Sequence, residues 1–337
     1  MSEIQTETPQ YEIHLLKLAD ADSIVIMYKA DANSPRKIIV VDAGNVEDWK
    51  EIKEFIYKRW GSYVIDIAIC THPDRDHKGG FFGLFEDTDV KIRKFCAIDP
   101  YRHIRDEEYE EGLSDKQKKK ISRRPFDYPT AERDVNLLDI AESKNVLESI
   151  QEGCEFDQVP LKVVGPSNDY YHEAALGMMN DYEEVVEDPE ITEYDEDAEM
   201  SEEEALSVID LDNETSCTNQ SSVILLFRPN DRMKFLLTGD TSCGALLEAV
   251  EKNGDELKGC VLKVPHHGSR HNLTTKLIAK LSPTNAAICA KGSRKHPNPG
   301  IVFWLSKYCN VYSTHKGAFY WGSGPTKSPA KPLRAKQ

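Results

Sequence analysis

Apolar and polar positions over the first hundred residues fall into short alternating or continuous runs broken by one helical stretch. The segments "YEIHLLKL" (11–18) and "SIVIMYKA" (23–30) flank the turn "ADAD" and predict paired strands. "RKIIVVDAG" (36–44) predicts a third strand closed by a Gly turn. In "VEDWKEIKEFIYKRWG" (46–61) the apolar positions recur at helical spacing and a Gly ends the run, so a helix is expected. "YVIDIAICT" (63–71) then predicts a buried strand that delivers "THPDRDHKGG" at its C-terminal end. Strands, helix, strand and a polar loop is the order of an α/β fold, whose sites lie beyond strand ends.

The pattern changes at residue 101. Residues 101–218 open with the charge-dense "YRHIRDEEYEEGLSDKQKKKISRR", predict a helix in "ERDVNLLDIAESKNVLESIQEG" (132–153) and a short strand in "LKVVGP" (161–166), and contain an acidic tract at 181–204. The segment is expected to be a charged insertion or lid, partly disordered, between a first half-domain at 1–100 and a second at 219–322. The second half predicts strands in "SSVILLFRP" and "MKFLLTGD", a helix in "CGALLEAVEKNG", a strand in "GCVLKVPHHGS", a helix near 274–281, a strand in "NAAICAKG", a helix in "GIVFWLSKYC" and closing strands in "NVYSTHKG" and "AFYWG". Residues 323–337 are expected to be a basic disordered tail.

Composition narrows the class. With 337 residues and 39% apolar content the chain can bury a sizeable core, and none of its apolar runs is long enough for a membrane span. The opening "MSEIQTETPQ" lacks the pattern of a signal peptide, so a soluble, cytoplasmic protein without membrane contact is expected. The eight cysteines lie far apart, as expected of reduced, buried thiols rather than of a disulfide frame. The net charge of −16 is unevenly spread: residues 181–204 hold 14 acids and no Lys or Arg, whereas 257–337 hold 14 Lys and Arg and no acid. A basic quarter can attract polyanions, or it can simply balance the acidic body once the parts fold together.

The candidate chemistry lies at strand ends. His72, Asp74, Asp76 and His77 offer imidazole nitrogen and carboxylate oxygen, the donors of a divalent-metal site in a hydrolase. "LLTGD" ends a second strand with Asp240, and "VLKVPHHGS" ends a third with His266 and His267. Three strand ends that converge with acids and imidazoles suit a two-metal site in which one carboxylate is shared.

In that order, "VVDAG", "THPDRDH", "LLTGD" and "VPHHGS" resemble the metallo-β-lactamase fold, an αββα sandwich, here with a charged insertion. "NQSSVILLF", "HPNP" (296–299) and "VYSTHKGAFYW" are similar to elements of its ComEC-type subgroup, the hydrolase domain of DNA-uptake competence proteins. The resemblance implies that His72 and Asp74 bind one metal and that Asp76 and His77 bind the other. Asp240 would bridge the two ions, His266 or His267 would complete the second site, and Asp42 would support the metal loop from behind. Most of the wider fold has a His where Asp74 stands, and its further His between His77 and Asp240 has no evident counterpart. His103 and His172 lie in that interval but read as surface residues, so the first site is expected to be weak, oxygen-rich and better suited to manganese than to zinc.

The expected activity is therefore a metal-dependent phosphodiesterase or nuclease, with two divalent ions, zinc or manganese, activating a water. Asp76 or Asp240 would take its proton, and His296 would act as a substrate contact or proton donor. The partner would be an anionic phosphodiester, nucleic acid or nucleotide, met by Arg270, Arg294 and Lys295. Two alternatives stay open: hydrolysis of lactones, thioesters or β-lactams on the same fold, and a non-catalytic metal-containing binding module. The acidic tract is either a solubilising loop or an intramolecular mimic of a polyanionic substrate. A Gly/Ser linker of equal length in place of 181–204 separates these: mimicry gives tighter nucleic-acid binding and faster turnover at low salt, and a solubilising loop gives no change at any salt.

Overall fold

The computed structural model describes residues 9–18, 21–104, 112–130, 133–179, 200–210, 213–292, 296–324 and 332–334. The chain opens with β1 (Gln10–Leu15), β2 (Ile24–Lys29) and β3 (Lys37–Val41), an antiparallel meander in which Ile13 faces Ile26 and Ile26 faces Ile39. Helix α1 (Trp49–Trp60) follows and buries Ile52 and Ile56. The strand expected over 63–71 is split into β4 (Val64–Ile65) and β5 (Ile67–Ile69). The break falls at Asp66, whose carboxylate accepts Ile38 N at 2.9 Å and Arg93 Nη1 at 2.6 Å. Helix α2 (Arg75–Glu86) carries the second half of the polar motif; β6 (Lys91–Ile92) pairs with β4, and β7 (Phe95–Ala97) lies parallel to β5.

Beyond residue 100 the chain forms α3 (Pro100–His103), α4 (Asp115–Arg123), α5 (Leu137–Ser143), β8 (Leu147–Ser149), β9 (Glu155–Phe156), β10 (Val159–Gly165), α6 (Asn168–Met179), α7 (Glu202–Leu206) and α8 (Cys217–Gln220). Two expectations are corrected here. The helix anticipated over 132–153 is only α5, because Asn145 takes a left-handed φ of 55° and turns the chain into β8, parallel to β7. Nor is 101–218 a detached insertion throughout. β8 extends the first sheet, β9 and β10 extend the second, and α6 buries Tyr171, Ala175 and Met178 in the core between them. Residues 180–199, most of the acidic tract, lie outside the described residues, whereas α7 at its end is capped by Ser201 and tied by Glu202 to Lys307 at 2.6 Å.

The remainder forms β11 (Ile224–Phe227), β12 (Phe235–Leu237), α9 (Cys243–Asn253), β13 (Val261–Lys263), α10 (Thr275–Leu281), β14 (Asn285–Ile288), α11 (Pro299–Ser306), β15 (Asn310–Ser313) and β16 (Phe319–Gly322). Two seven-stranded sheets result, ordered β16-β1-β2-β3-β5-β7-β8 and β15-β14-β13-β12-β11-β10-β9. Their inner faces share one core, in which Ile13, Ile26, Ile39 and Ile69 meet Leu161, Leu225, Phe235 and Leu237. The outer face of the first sheet packs on α1, α2 and α5, and that of the second on α9, α10 and α11. This is the expected αββα sandwich. All eight cysteines are thiols, six of them buried. The tail is not wholly loose: Leu333 N donates to Val311 O at 2.7 Å and its side chain joins the second sheet's outer core, while 325–331 and 335–337 lie outside the described residues.

Sandwich geometry sets the position of the site. In the first sheet β3, β5, β7 and β8 run parallel, in the second β12 to β15 do, and the polar motifs follow the C-terminal ends of β3, β5, β12 and β13. The start of α2 is pressed onto the loop after β3, where Ala43 N donates to His77 O at 2.8 Å and a Cβ on Gly80 would overlap Ala43 O. Gly80→Ala should therefore push α2 outward and cost about 1–3 kcal/mol in denaturant unfolding, with a parallel loss of bound metal because Asp76 and His77 ride on the same turn.

Candidate metal centre

Six side chains expected to hold metal converge at the seam between the sheets. Thr71 O accepts Val223 N at 2.9 Å and Ser222 Oγ accepts Asp240 N at 3.1 Å, which stitches the β5 loop to the β11 and β12 ends. Gly239 allows this approach, because its φ is +51° and a Cβ there would come within 2.8 Å of Thr71 Oγ1. His72 and His77 are buried with ring centroids 4.1 Å apart. His77 Nε2 lies 3.3 Å from Asp240 Oδ1 and 3.6 Å from Asp76 Oδ2, and His267 Nε2 lies 3.0 Å from Asp76 Oδ2. On the far side of Asp240, Oδ2 is 3.9 Å from both His266 Nε2 and His267 Nε2.

Hydrogen bonding on the other ring nitrogen settles the tautomers. His77 Nδ1 donates to Asp42 Oδ2 at 2.8 Å and His267 Nδ1 donates to Cys289 O at 2.8 Å. His266 Nδ1 donates to Asn272 Oδ1 at 3.0 Å, an acceptor fixed because Asn272 Nδ2 donates to Asp240 O and Thr241 O. Thr71 Oγ1 spends its proton on Asp42 Oδ2, so it accepts from His72 Nδ1 at 3.1 Å. Four imidazoles thus present Nε2, the ligating atom, toward the carboxylates. His72 Nε2, His77 Nε2 and Asp240 Oδ1 are buried and, apart from the contact between the last two, form no hydrogen bond among the described residues. The ligand atoms of His72, His77 and Asp240 lie within 4.8 Å of one another, as do those of Asp76, His77 and His267. Buried nitrogen and oxygen lone pairs aimed at common points fit divalent cations of the zinc or manganese type.

The electrostatics are those of a site built for cations. Burial alone would lower the basicity of His77, yet Asp240, Asp42 and Asp76 outweigh it and raise its pKa well above the ordinary value. His267 is raised in the same way by Asp240, Asp22 and Asp76 against its burial. Burial would favour protonation of Asp76 and Asp240, but the facing imidazoles hold both carboxylates below their usual range. His266 moves the other way, because burial outweighs the pull of Asp240.

Where the expected residues fall is mixed. Asp42 accepts Thr71 N, Thr71 Oγ1 and His77 Nδ1. Asp74 sits at the rim, 37% exposed, with Oδ2 3.4 Å from His72 Nε2. His77 stands in both of these ligand groups, and in a third with Asp22 and Asp42, rather than in one, and His267, not His266, shares a group with Asp76. His296 approaches with ring centroids 5.5 Å from His266 and 6.1 Å from His267. Arg270 is half-buried two residues before Asn272, while Arg294 and Lys295 lie outside the described residues. His172 Nδ1 contacts His103 O at 3.0 Å, and neither residue belongs to a ligand group among the described residues. Unanticipated members are Thr71, Asn272, Asp22 and Lys263. Asp22 carried a faint sequence signal, since "ADAD" puts a second acid in a turn that needs only one.

An αββα sandwich with a His/Asp cluster across the strand ends of both sheets defines a metallohydrolase architecture. The model of the metallo-beta-lactamase superfamily matches residues 32–292, and the chain belongs to that superfamily of metal-dependent hydrolases. Among solved structures, the chain is similar to Rm3 metallo-beta-lactamase at 10% identity and a TM-score of 0.35, over 76% of this chain and 77% of that one. No curated protein matches the sequence.

Asp240→Ala removes a carboxylate whose two oxygens face both ligand groups and should strip the metal, whereas Asp42→Ala should weaken it by about 10–100-fold; metal content after dialysis, read by inductively coupled plasma mass spectrometry, checks both. Equal retention by the two variants would refute the bridging role of Asp240. Because His77 and His267 hold protons above the ordinary imidazole range in the metal-free chain, a cation must displace those protons. Loading should tighten as pH rises from about 6 to about 8, with proton release on binding measurable by calorimetry in two buffers.

Proposed function

We propose that this chain is a ComEC-type metal-dependent phosphodiesterase, acting on nucleic acid or nucleotides with two divalent ions, zinc or manganese. The observation that carries the proposal is the segregation of charge around the centre. Every carboxylate there, Asp22, Asp42, Asp74, Asp76 and Asp240, precedes residue 257, whereas the acid-free 257–337 supplies Lys263, His266, His267 and His296. The carboxylates suit cations, and the excess of positive charge along 257–337 would draw an anion toward them, a division that a neutral lactone or thioester would not reward.

When bound, the cations supply Lewis acidity and a lowered pKa for water. The chain's own residues divide the remaining work. Asp240, fixed by Ser222 Oγ through its N–H and by Asn272 through its carbonyl, holds both ligand groups in register. Asp76 is the more accessible of the two inner carboxylates, at 28% exposure against 3%, and takes the proton of the attacking water. His296, beside His266 but outside both ligand groups, donates a proton to the departing alkoxide. Among the described residues no helix is long and apolar enough to cross a membrane.

Bis(p-nitrophenyl) phosphate, single-stranded and duplex DNA, RNA, cyclic nucleotides, a lactone and a thioester, each with manganese and with zinc, form the decisive panel. Phosphodiester turnover that requires metal is expected, and His296→Ala should lower kcat by about 100-fold or more on substrates with poor leaving groups while sparing the nitrophenyl ester. Lactone or thioester turnover alone would favour the other hydrolase class, and a metal-loaded protein without turnover would favour a binding module.

A further inference from the structure

Beneath the metal ligands lies an ion pair that neither the hydrolytic chemistry nor the core requires. Asp22 and Lys263 are 1% and 2% exposed and pair directly through Oδ2 and Nζ. Lys263 Nζ also donates to Gly239 O at 2.9 Å and lies 3.6 Å from Asp240 Oδ1, the oxygen that faces His77. Asp22 is itself held by the metal loops: its N–H donates to Asp76 O at 3.2 Å and its carbonyl accepts Gly44 N at 2.9 Å. Its carboxylate also faces His267 Nδ1 at 3.5 Å and His77 Nδ1 at 4.0 Å.

A buried ammonium next to Asp240 is a competitor. Any cation that uses Asp240 Oδ1 must share it with Lys263, and in a low-dielectric interior an unpaired ammonium would settle on the nearest carboxylate. Asp22 is the second carboxylate within reach, and Lys263 makes its closer contact there. We propose that Asp22 is a positioning residue that acts through Lys263, tethering the buried ammonium so that Asp240 Oδ1 remains available to a metal ion. The inference rests on the metal centre and not on the substrate class.

The test uses EDTA-stripped full-length protein, checked for fold by circular dichroism, and measures zinc and manganese affinity by competition with a chromophoric chelator. In Asp22→Asn, a nearly isosteric change, the ammonium turns to Asp240 and metal affinity falls by about 10–100-fold. In Asp22→Asn/Lys263→Met the competitor is gone, so affinity recovers to within about tenfold of the wild type. Recovery is the outcome a merely structural ion pair does not give, since there the double variant binds no better than the single one. Wild-type affinity in Asp22→Asn, or a folded double variant as weak as the single one, overturns the proposal. Should Asp22→Asn fail to fold, the double variant decides alone: near-wild-type affinity supports the tether and a larger loss refutes it. Wild-type protein that binds no metal would instead remove the metal centre itself, a result distinguishable from either.

Discussion

Carboxylates crowded into the seam between two hydrophobic sheets are the constraint on which this architecture turns. Asp22, Asp42 and Asp240 are each at most 2% exposed, and Asp76 lies against them. Buried charge of one sign is tolerated only when it is paired. With Asp74 at the rim, five carboxylates and Lys263 leave a net charge of minus four, a load that divalent cations would offset. Without metal, protons on His77 and His267 supply half of that compensation, and the surrounding carboxylates explain why the burial of each imidazole is nevertheless overcome. Cations and protons are thus alternative counter-charges for one anionic frame.

That frame is a product of strand direction. Parallel strands in both sheets deliver their C-terminal ends to one edge, so residues 42, 72, 240 and 266 meet although they are far apart along the chain. The hydrophobic interior does the alignment: the shared core sets the distance between the sheets, and the Thr71–Val223 and Ser222–Asp240 bonds close the seam. Small residues then let backbone approach backbone where a side chain would intrude, at Gly80 under the β3 loop and at Gly239 against Thr71.

How much of this was legible in the sequence follows from the range of the forces involved. Ligands at strand ends are local signals, an apolar run followed by His or Asp, and so "THPDRDH", "LLTGD" and "VPHHGS" pointed to the seam directly. Strands whose neighbours are distant were harder. β8 and β9 end the two sheets, yet Leu147–Ser149 and Glu155–Phe156 are too short to show a period. The helix over 132–153 was overextended because a single left-handed Asn carries little weight against periodicity. Roles that depend on orientation were closed to sequence reasoning altogether. Lys263 sits in an apolar strand end from which it can face either way, and only the fold brings Asp22 beneath it. The choice between His266 and His267 likewise depends on which Nε2 the fold brings to Asp76, and it is that of His267, at 3.0 Å.

Backbone conformation shows where the remaining cost of assembly is stored. Asp42, His266 and His267 all adopt left-handed φ angles, 58°, 47° and 50°, which non-glycine residues seldom take. Each such residue costs on the order of 1–3 kcal/mol and persists only where its surroundings over-determine it. Here they do: Asp42 is held by three hydrogen bonds from Thr71 and His77, and each histidine is held through Nδ1. An extended backbone at 266 and 267 would send successive side chains to opposite faces, whereas the left-handed turn keeps both Nε2 atoms on Asp240 Oδ2. The strain is therefore the means by which one short turn places two imidazoles on one carboxylate.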